Sequence, residues 1–420
     1  MGIDRLVLAA VGAGLLASSS YGAVNVPGFE GELKTQVEFR QDIYDRDSIP
    51  FDNYLKLDVR DLKGTELHFY GKLWKDLGYG TDWDLDLYQL YIEVPLKGAN
   101  SVFSVGRQFI SEGFETYTAD AVKFTNRLKN GLRYTFYLGK PRFFEPNTPD
   151  GDDLLAGFKF DYKGYFLGFE HLRDDGKVKK SSFVFGNYRY LTEKIAQYSR
   201  LEVDTAHGEL TDFNLGLNYF PTKRLRLNTE VEYYDNSYFY GDKTVPEDRI
   251  FYLFSPNGRE LRFTQSAHYD LTKKWELFGS YTLTDVQRDG KDNGYLAKLG
   301  AVRDTWFENG LRAYGALLYQ NSWIGILRGV EFGFTKYVCR KLTLNGTAQI
   351  ARYDKVTYGK QWASAYYLKG VYQTSEFSNL ELGVDYRNNE DFDRDLRLIL
   401  RYNLLFWGGT GKKERTEDRR

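Results

Sequence analysis

Residues 213–235, FNLGLNYFPTKRLRLNTEVEYYD, constrain the fold of this 420-residue chain more than any other stretch. Phe213, Leu215, Leu217 and Tyr219 alternate with Asn214, Gly216 and Asn218. After a break at 221–224, Leu225, Leu227, Thr229, Val231 and Tyr233 alternate with Arg226, Asn228, Glu230 and Glu232. A period of two sends successive side chains to opposite faces of a sheet, so one face is apolar and the other polar and charged. Pro221 opens the break with a fixed φ and no backbone donor. The second segment has about ten residues, the length at which a tilted strand crosses a bilayer.

The same unit recurs over nearly the whole chain, with connections of two kinds. Short ones fall at 62–64, 96–100, 129–131, 163–164, 191–194, 221–224, 270–274, 307–310, 338–341 and 375–379. Long ones fall near 44–50, 77–82, 110–120, 140–153, 173–180, 206–212, 236–259, 285–294, 321–325, 354–364 and 388–395. Short and long take turns, as in a transmembrane barrel with tight periplasmic turns and longer outer loops. A soluble sandwich, the competing reading, has no reason to sort its connections in this way. The expected fold is therefore all-β: an antiparallel up-and-down transmembrane barrel. The strand count is about 22, falling to 20 or 18 if the weakly patterned segments 121–128 and 295–304 are not strands.

Composition agrees. The mean hydropathy is only −0.53, yet the chain carries 34 Tyr and 30 Phe. Such a barrel is apolar outside, polar inside and ringed with aromatics at both interfaces. Aromatics flank the short turns at Tyr190, Tyr219, Phe220, Tyr269, Trp275 and Tyr337. A formal net charge of −1 argues against nucleic acid as a partner. Residues 1–22 read as a secretory leader: Arg5, an apolar run at 6–17, then Ser20-Tyr21-Gly22 before a cleavage point at Ala23. The barrel is expected over 23–406, with no plug domain, and 407–420 as a disordered charged tail. Export and the strand pattern together point to a Gram-negative-type outer membrane.

The polar face supplies the candidate site. Strand phase turns Arg60, Arg226, Glu230, Arg262, Glu381, Asp385, Arg387, Arg397 and Arg401 inward, along with Lys56, Asp58, Glu66, His68, Lys72, Glu232 and His268. Arginine and carboxylate ladders can set the selectivity of a wet channel. The same charges can equally stabilise a solvated wall as cross-strand pairs. Arg387, Arg397 and Arg401 fall near the closing seam as a candidate basic strip, with Glu381 and Asp385 placed to neutralise it.

Residues 104–124 read SVGRQFISEGFETYTADAVKF. Gly106-Arg107-Gln108, then Gly113, then Asp120-Ala121-Val122-Lys123 on the next strand, resemble the Gly-Arg-Gln hairpin of alginate-export-type outer-membrane porins. The resemblance implies a monomeric barrel of about 18 strands whose arginines line a conduit for an anionic solute. It carries over Arg107 alone, as a lumen-facing arginine. The short turns leave no counterpart for that family's large periplasmic loop.

Other features are weaker. The aromatic-rich loop 236–259 could constrict the lumen or cap the mouth. The acidic end of loop 140–153 is a solvated loop before it is a calcium site. His207 lies near Asp204, a pair that could support base catalysis, but no nucleophile accompanies it and the chain is not expected to be an enzyme. The four histidines have no metal-ligand spacing, and nothing calls for a cofactor. The function expected is passive diffusion of small hydrophilic or ionic solutes across a lipid outer membrane, with homo-oligomerisation open. The alternative is a sleeve enclosing a partner protein or an electron carrier.

Overall fold

The computed structural model describes residues 28–41, 47–62, 64–96, 100–114, 116–142, 153–174, 176–235, 259–287, 293–322, 325–354, 362–388 and 395–409. The leader at 1–22, the loop at 236–258, the acidic loop at 143–152 and the tail beyond 409 lie outside them.

Alternating residues form strands wherever one face can meet lipid and the other water. The first wall is β1 (Gly28–Gln41), β2 (Asp47–Ser48), β3 (Pro50–Leu62), β4 (Thr65–Asp76) and β5 (Asp84–Leu96). Next come β6 (Ser101–Ile110), β7 (Tyr117–Arg127), β8 (Arg133–Arg142), β9 (Leu154–Tyr162), β10 (Tyr165–Asp174), β11 (Lys177–Thr192) and β12 (Ile195–Asp204). The chain continues through β13 (Glu209–Thr222), β14 (Leu225–Asp235), β15 (Arg259–Asp270), β16 (Trp275–Gln287) and β17 (Gly294–Thr305). After the one-turn helix α1 (Trp306–Asn309) it ends with β18 (Leu311–Ser322), β19 (Gly325–Cys339), β20 (Leu342–Tyr353), β21 (Trp362–Ser375), β22 (Ser378–Asn388) and β23 (Asp395–Gly408).

Neighbours pair antiparallel, and β1 pairs with both β3 and β23, which closes the sheet. The two-residue β2 pairs only with the outer end of β1, so 22 strands make the barrel. Closure leaves no open edge, the condition for a sheet to span a bilayer. Residues 121–127 and 295–304 are strand, within β7 and β17, and Leu128 lies just past the end of β7. The outward face carries exposed apolar side chains all round, such as Leu261, Leu283, Leu317, Phe332 and Leu400.

Three of the short turns share one device. The hydroxyl oxygens of Thr192, Thr222 and Thr272 accept from the amides of Lys194, Arg224 and Lys274, at 3.1, 3.2 and 3.1 Å. Two outer connections are shorter than the sequence suggests: only 175–176 separates β10 from β11, and only 205–208 separates β12 from β13. Their charged residues sit on strand ends that rise above the lipid belt, where strand and loop compositions converge.

Candidate functional site on the inner wall

Cross-strand register identifies the inward face. On the seam it runs Glu381–Arg401–Gln36–Asp52 across β22, β23, β1 and β3. On the opposite side it runs Arg200–Asn214–Glu232–Arg262 across β12 to β15. Of the sequence candidates, Arg60, Arg226, Glu230, Arg262, Glu381, Asp385, Arg387, Arg397 and Arg401 all share this polar face.

These candidates meet opposite charges or other polar partners. Arg401 sits 3.2 Å from Glu381 and donates to Gln36 at 2.7 Å. Arg397 pairs with Asp395 at 2.7 Å and Arg387 with Asp385 at 2.8 Å. Arg262 lies 2.5 Å from Glu260 and 3.4 Å from Glu232. Arg226 lies 3.1 Å from Glu276, and Arg60 pairs with Glu30. Glu230 accepts from the Tyr198 hydroxyl and the Asn214 amide, both at 2.8 Å. The strip at the closing seam is therefore interleaved with carboxylates. Of these pairs, Arg401–Glu381, Arg262–Glu232 and Arg60–Glu30 cross between strands, and such opposite-charge pairs stabilise a sheet by about 0.2–1 kcal/mol each.

Arg107 stands elsewhere. It pairs across β5 with Leu90 and across β7 with Asp120, in phase with Val105 and Phe109 rather than with Ser104 and Gln108. This is the outward face, so the resemblance-derived role of a lumen arginine does not fit its register. Gly106, at φ +125, lets the two strands approach: a Cβ there would lie 2.3 Å from the Leu90 carbonyl oxygen. Gln108 faces inward, accepting from the Ser104 hydroxyl at 2.7 Å and donating to the Ala121 carbonyl at 3.0 Å. Gly-Arg-Gln is here a strand-locking motif.

The most unusual part of the inner wall was not anticipated. After β6 the chain turns into the lumen and lies against β7 and β9 to β11. Glu112 reaches Lys123 at 3.5 Å. The Phe114 ring lies 5.3 Å from the Lys180 ammonium and packs over Gly168. Gly113 passes close to Phe166 and Lys159. Beneath this segment Lys180 and Glu170 are fully buried and Glu202 nearly so. Lys180 Nζ is 2.5 Å from Glu202 and 3.9 Å from Glu170. Tyr137 donates to Glu170 at 2.8 Å, and Arg200 bridges Glu202 and Asp212 at 2.5 and 2.7 Å. Buried charges persist only when compensated, and each charge in this network faces an opposite one.

His207 Nδ1 is 2.5 Å from Asp204, but Asp204 also accepts the amides of Ser181 and Ala206, each at 2.9 Å. The pair closes the β12–β13 turn. Among the described residues, no group of three or more His, Cys, Asp or Glu side chains could hold a metal ion.

A closed barrel with an apolar outer belt and a polar, charge-paired interior defines an outer-membrane β-barrel protein. Solved structures agree. The siderophore receptor PirA from Pseudomonas aeruginosa is 10% identical, with 91% of this chain and 81% of that chain covered at a TM-score of 0.58. A mutant of the ferric enterobactin receptor PfeA from the same organism is 11% identical, covering 90% of this chain and 80% of that one at a TM-score of 0.55. The likeness to OccK11 (OpdR) from P. aeruginosa, at 10% identity and a TM-score of 0.42, is too loose to support an argument. No protein-family model and no curated protein matches the chain. At these identities the likeness establishes the fold, and the chain is a protein of the outer membrane.

Proposed function

We propose that the barrel is a channel for passive diffusion of small hydrophilic solutes, with little preference between anions and cations. The observation that carries this reading is the pairing of the wall charges: Arg401 with Glu381, Arg397 with Asp395, Arg387 with Asp385, Arg262 with Glu260. Selectivity in a wide pore comes from rings or strips of one sign. Alternating signs a few ångströms apart cancel within about a Debye length, roughly 8 Å at physiological salt. The segment at 111–114 narrows the lumen from one side, which favours small solutes over polymers.

The strand count favours a second reading. Outer-membrane barrels of about 22 strands carry a filled lumen, whereas about 16 to 18 leave an open channel. On that reading this barrel is a sleeve around a partner protein or electron carrier.

Planar-bilayer recording on the purified barrel separates the two. A channel gives steady conductance with a reversal potential near zero under a salt gradient, and Arg397→Ala, by releasing Asp395, moves that potential toward cation preference. A strong preference for one ion sign in the unaltered protein defeats the weak-selectivity reading. A folded barrel that passes no current, and that leaves the membrane with a stoichiometric partner in mild detergent, establishes the sleeve.

A further inference from the structure

One stretch of the inner wall breaks the pairing of its charges. Following the register from Arg200 back through Gly186, Phe166 and Asp161 leads to Arg133 and then Arg127, on the same inward row. The two arginines stand directly opposite one another where β7 ends and β8 begins. Like charges so placed destabilise a sheet. On the same face Arg200, Arg226, Arg262, Arg387, Arg397 and Arg401 each have a carboxylate between 2.5 and 3.2 Å away. Among the described residues Arg127 and Arg133 have none, and neither guanidinium donates a hydrogen bond. Asp161, the cross-strand neighbour of Arg133, is paired instead with Lys159, at 3.3 Å.

A recess of about 400 Å³ opens at these two arginines, at the end of the barrel that carries the short turns. Its lining also includes Lys163, Tyr165, Phe166 and Tyr188, and Asp161 is the only carboxylate among the described residues that line it. Lys163 sits at φ +50, the only positive φ of a non-glycine among the described residues. A two-residue hairpin usually puts Asn, Asp or Gly there, so the backbone is strained to place a third cation at the recess. Its ammonium lies 5.1 Å from the Tyr162 ring, with no carboxylate beside it among the described residues. The turn is fixed against β11, where the Tyr188 amide donates to the Gly164 carbonyl at 2.7 Å.

We propose that this recess binds a small organic oxyanion, a carboxylate or a phosphate ester, held between Arg127 and Arg133 with its carbon skeleton against the aromatic side chains. Guanidinium groups engage such anions through paired, charge-assisted hydrogen bonds. The bound anion removes the repulsion of the bare pair, so binding and barrel stability are linked. An inorganic ion would leave the aromatic part of the lining unused, which is why the ligand is organic. The inference does not depend on the channel reading: the recess belongs to the wall whether the lumen is open or filled.

The test is isothermal titration calorimetry of the purified barrel in micelles with phenyl phosphate, benzoate, inorganic phosphate and neutral benzamide. Phenyl phosphate or benzoate is expected to bind once per barrel, at least about tenfold more tightly than benzamide or inorganic phosphate. Arg127→Gln/Arg133→Gln lowers that affinity about tenfold or more. Without ligand its urea midpoint stays at or above that of the unaltered barrel, because the repulsion is gone; a pair of purely structural arginines would give a lower midpoint instead. Benzamide bound as tightly as benzoate overturns the proposal, as does unchanged affinity in the variant or failure of both organic anions to bind. Inorganic phosphate bound as tightly as phenyl phosphate makes the recess a bare-ion site and also overturns it. The probe series on the unaltered barrel decides the matter even if the variant folds poorly. Binding in micelles requires no open pore, so its failure is distinguishable from a failure to conduct.

Discussion

Replacing Lys180 by Met isolates the energetic role of the buried inner-wall network. The ammonium is fully buried, 2.5 Å from Glu202 and 3.9 Å from Glu170, with Phe114 across it. Met preserves most of the side-chain length and removes the charge. Glu202 keeps Arg200, and Glu170 keeps the Tyr137 hydroxyl, but two carboxylates then share a dry site without the cation between them. Breaking a buried ion pair from one side costs about 3–5 kcal/mol. The comparison is Lys369→Met: Lys369 lies 3.7 Å from Glu381 with 29% of its side chain exposed, a wetter pair worth about 0–1 kcal/mol. Urea unfolding in micelles, followed by tryptophan fluorescence, reports both as midpoint shifts at a shared slope. Adding Glu170→Gln to Lys180→Met removes one of the stranded charges and should recover part of the loss. Two results would refute the reasoning: a Lys180→Met penalty no larger than that of Lys369→Met, or a double variant less stable than the single one.

Three further outcomes are expected. Phe114→Ala loosens the segment at 111–114 from Lys180 and Gly168 and raises single-channel conductance, whereas lipid-facing Phe136→Ala leaves conductance alone; equal effects would mean that the segment does not narrow the pore. Gly106→Ala forces a left-handed φ of +125 on a residue with a side chain and drives a Cβ into the Leu90 carbonyl, so it destabilises the barrel by about 1–3 kcal/mol or more, read from the same urea midpoints. Asp76 lies above the apolar belt, which ends on β4 at Leu73. Burial tends to raise its pKa, but the Ser48 hydroxyl and the amides of Ile49, Tyr79 and Gly78 hold it below the ordinary carboxylate value. A depressed folded pKa contributes stability that is present above the unfolded value, about 3.9, and lost as pH falls through the folded one. Amide exchange at 76–79 should therefore quicken only in that acid window, and Asp76→Asn should remove the pH dependence.

The period-two alternation made most of this barrel legible, because outward side chains must be apolar in lipid and inward ones polar in water. The nine inward candidates share the polar face for that reason. Lys180 was missed because its neighbours Lys177 and Lys179 make 173–180 look like a loop. A signal was present: Lys180, Ser182, Val184 and Gly186 alternate with Ser181, Phe183 and Phe185. Glu170 and Glu202 also lie in clean alternation, but only the inward segment, whose course no periodicity encodes, turns them from wetted charges into a buried network. Arg107 was hard to phase because it occupies an apolar set, Phe103, Val105 and Phe109, while its opposite set, Ser104, Gly106 and Gln108, is polar without being charged.

The two kinds of inner wall divide the work of the protein. Along the seam the cations are partly exposed, at 27–49% of their side chains, so their pairs are weaker and more screened than those under the segment. On the channel reading, selectivity is set along β22, β23 and β1. Under the segment at 111–114 the same chemistry is dry, and each charge depends on its partners. That wall carries small inward residues, Gly139, Gly157, Gly168 and Gly186, which leave room for the segment and for the aromatic rings of Tyr137, Phe114 and Phe166 against it. One short segment folds onto this glycine-lined, ion-paired wall. Substitutions that change what passes should therefore cluster on the seam, and those that unfold the barrel should cluster on β7 and β9 to β12.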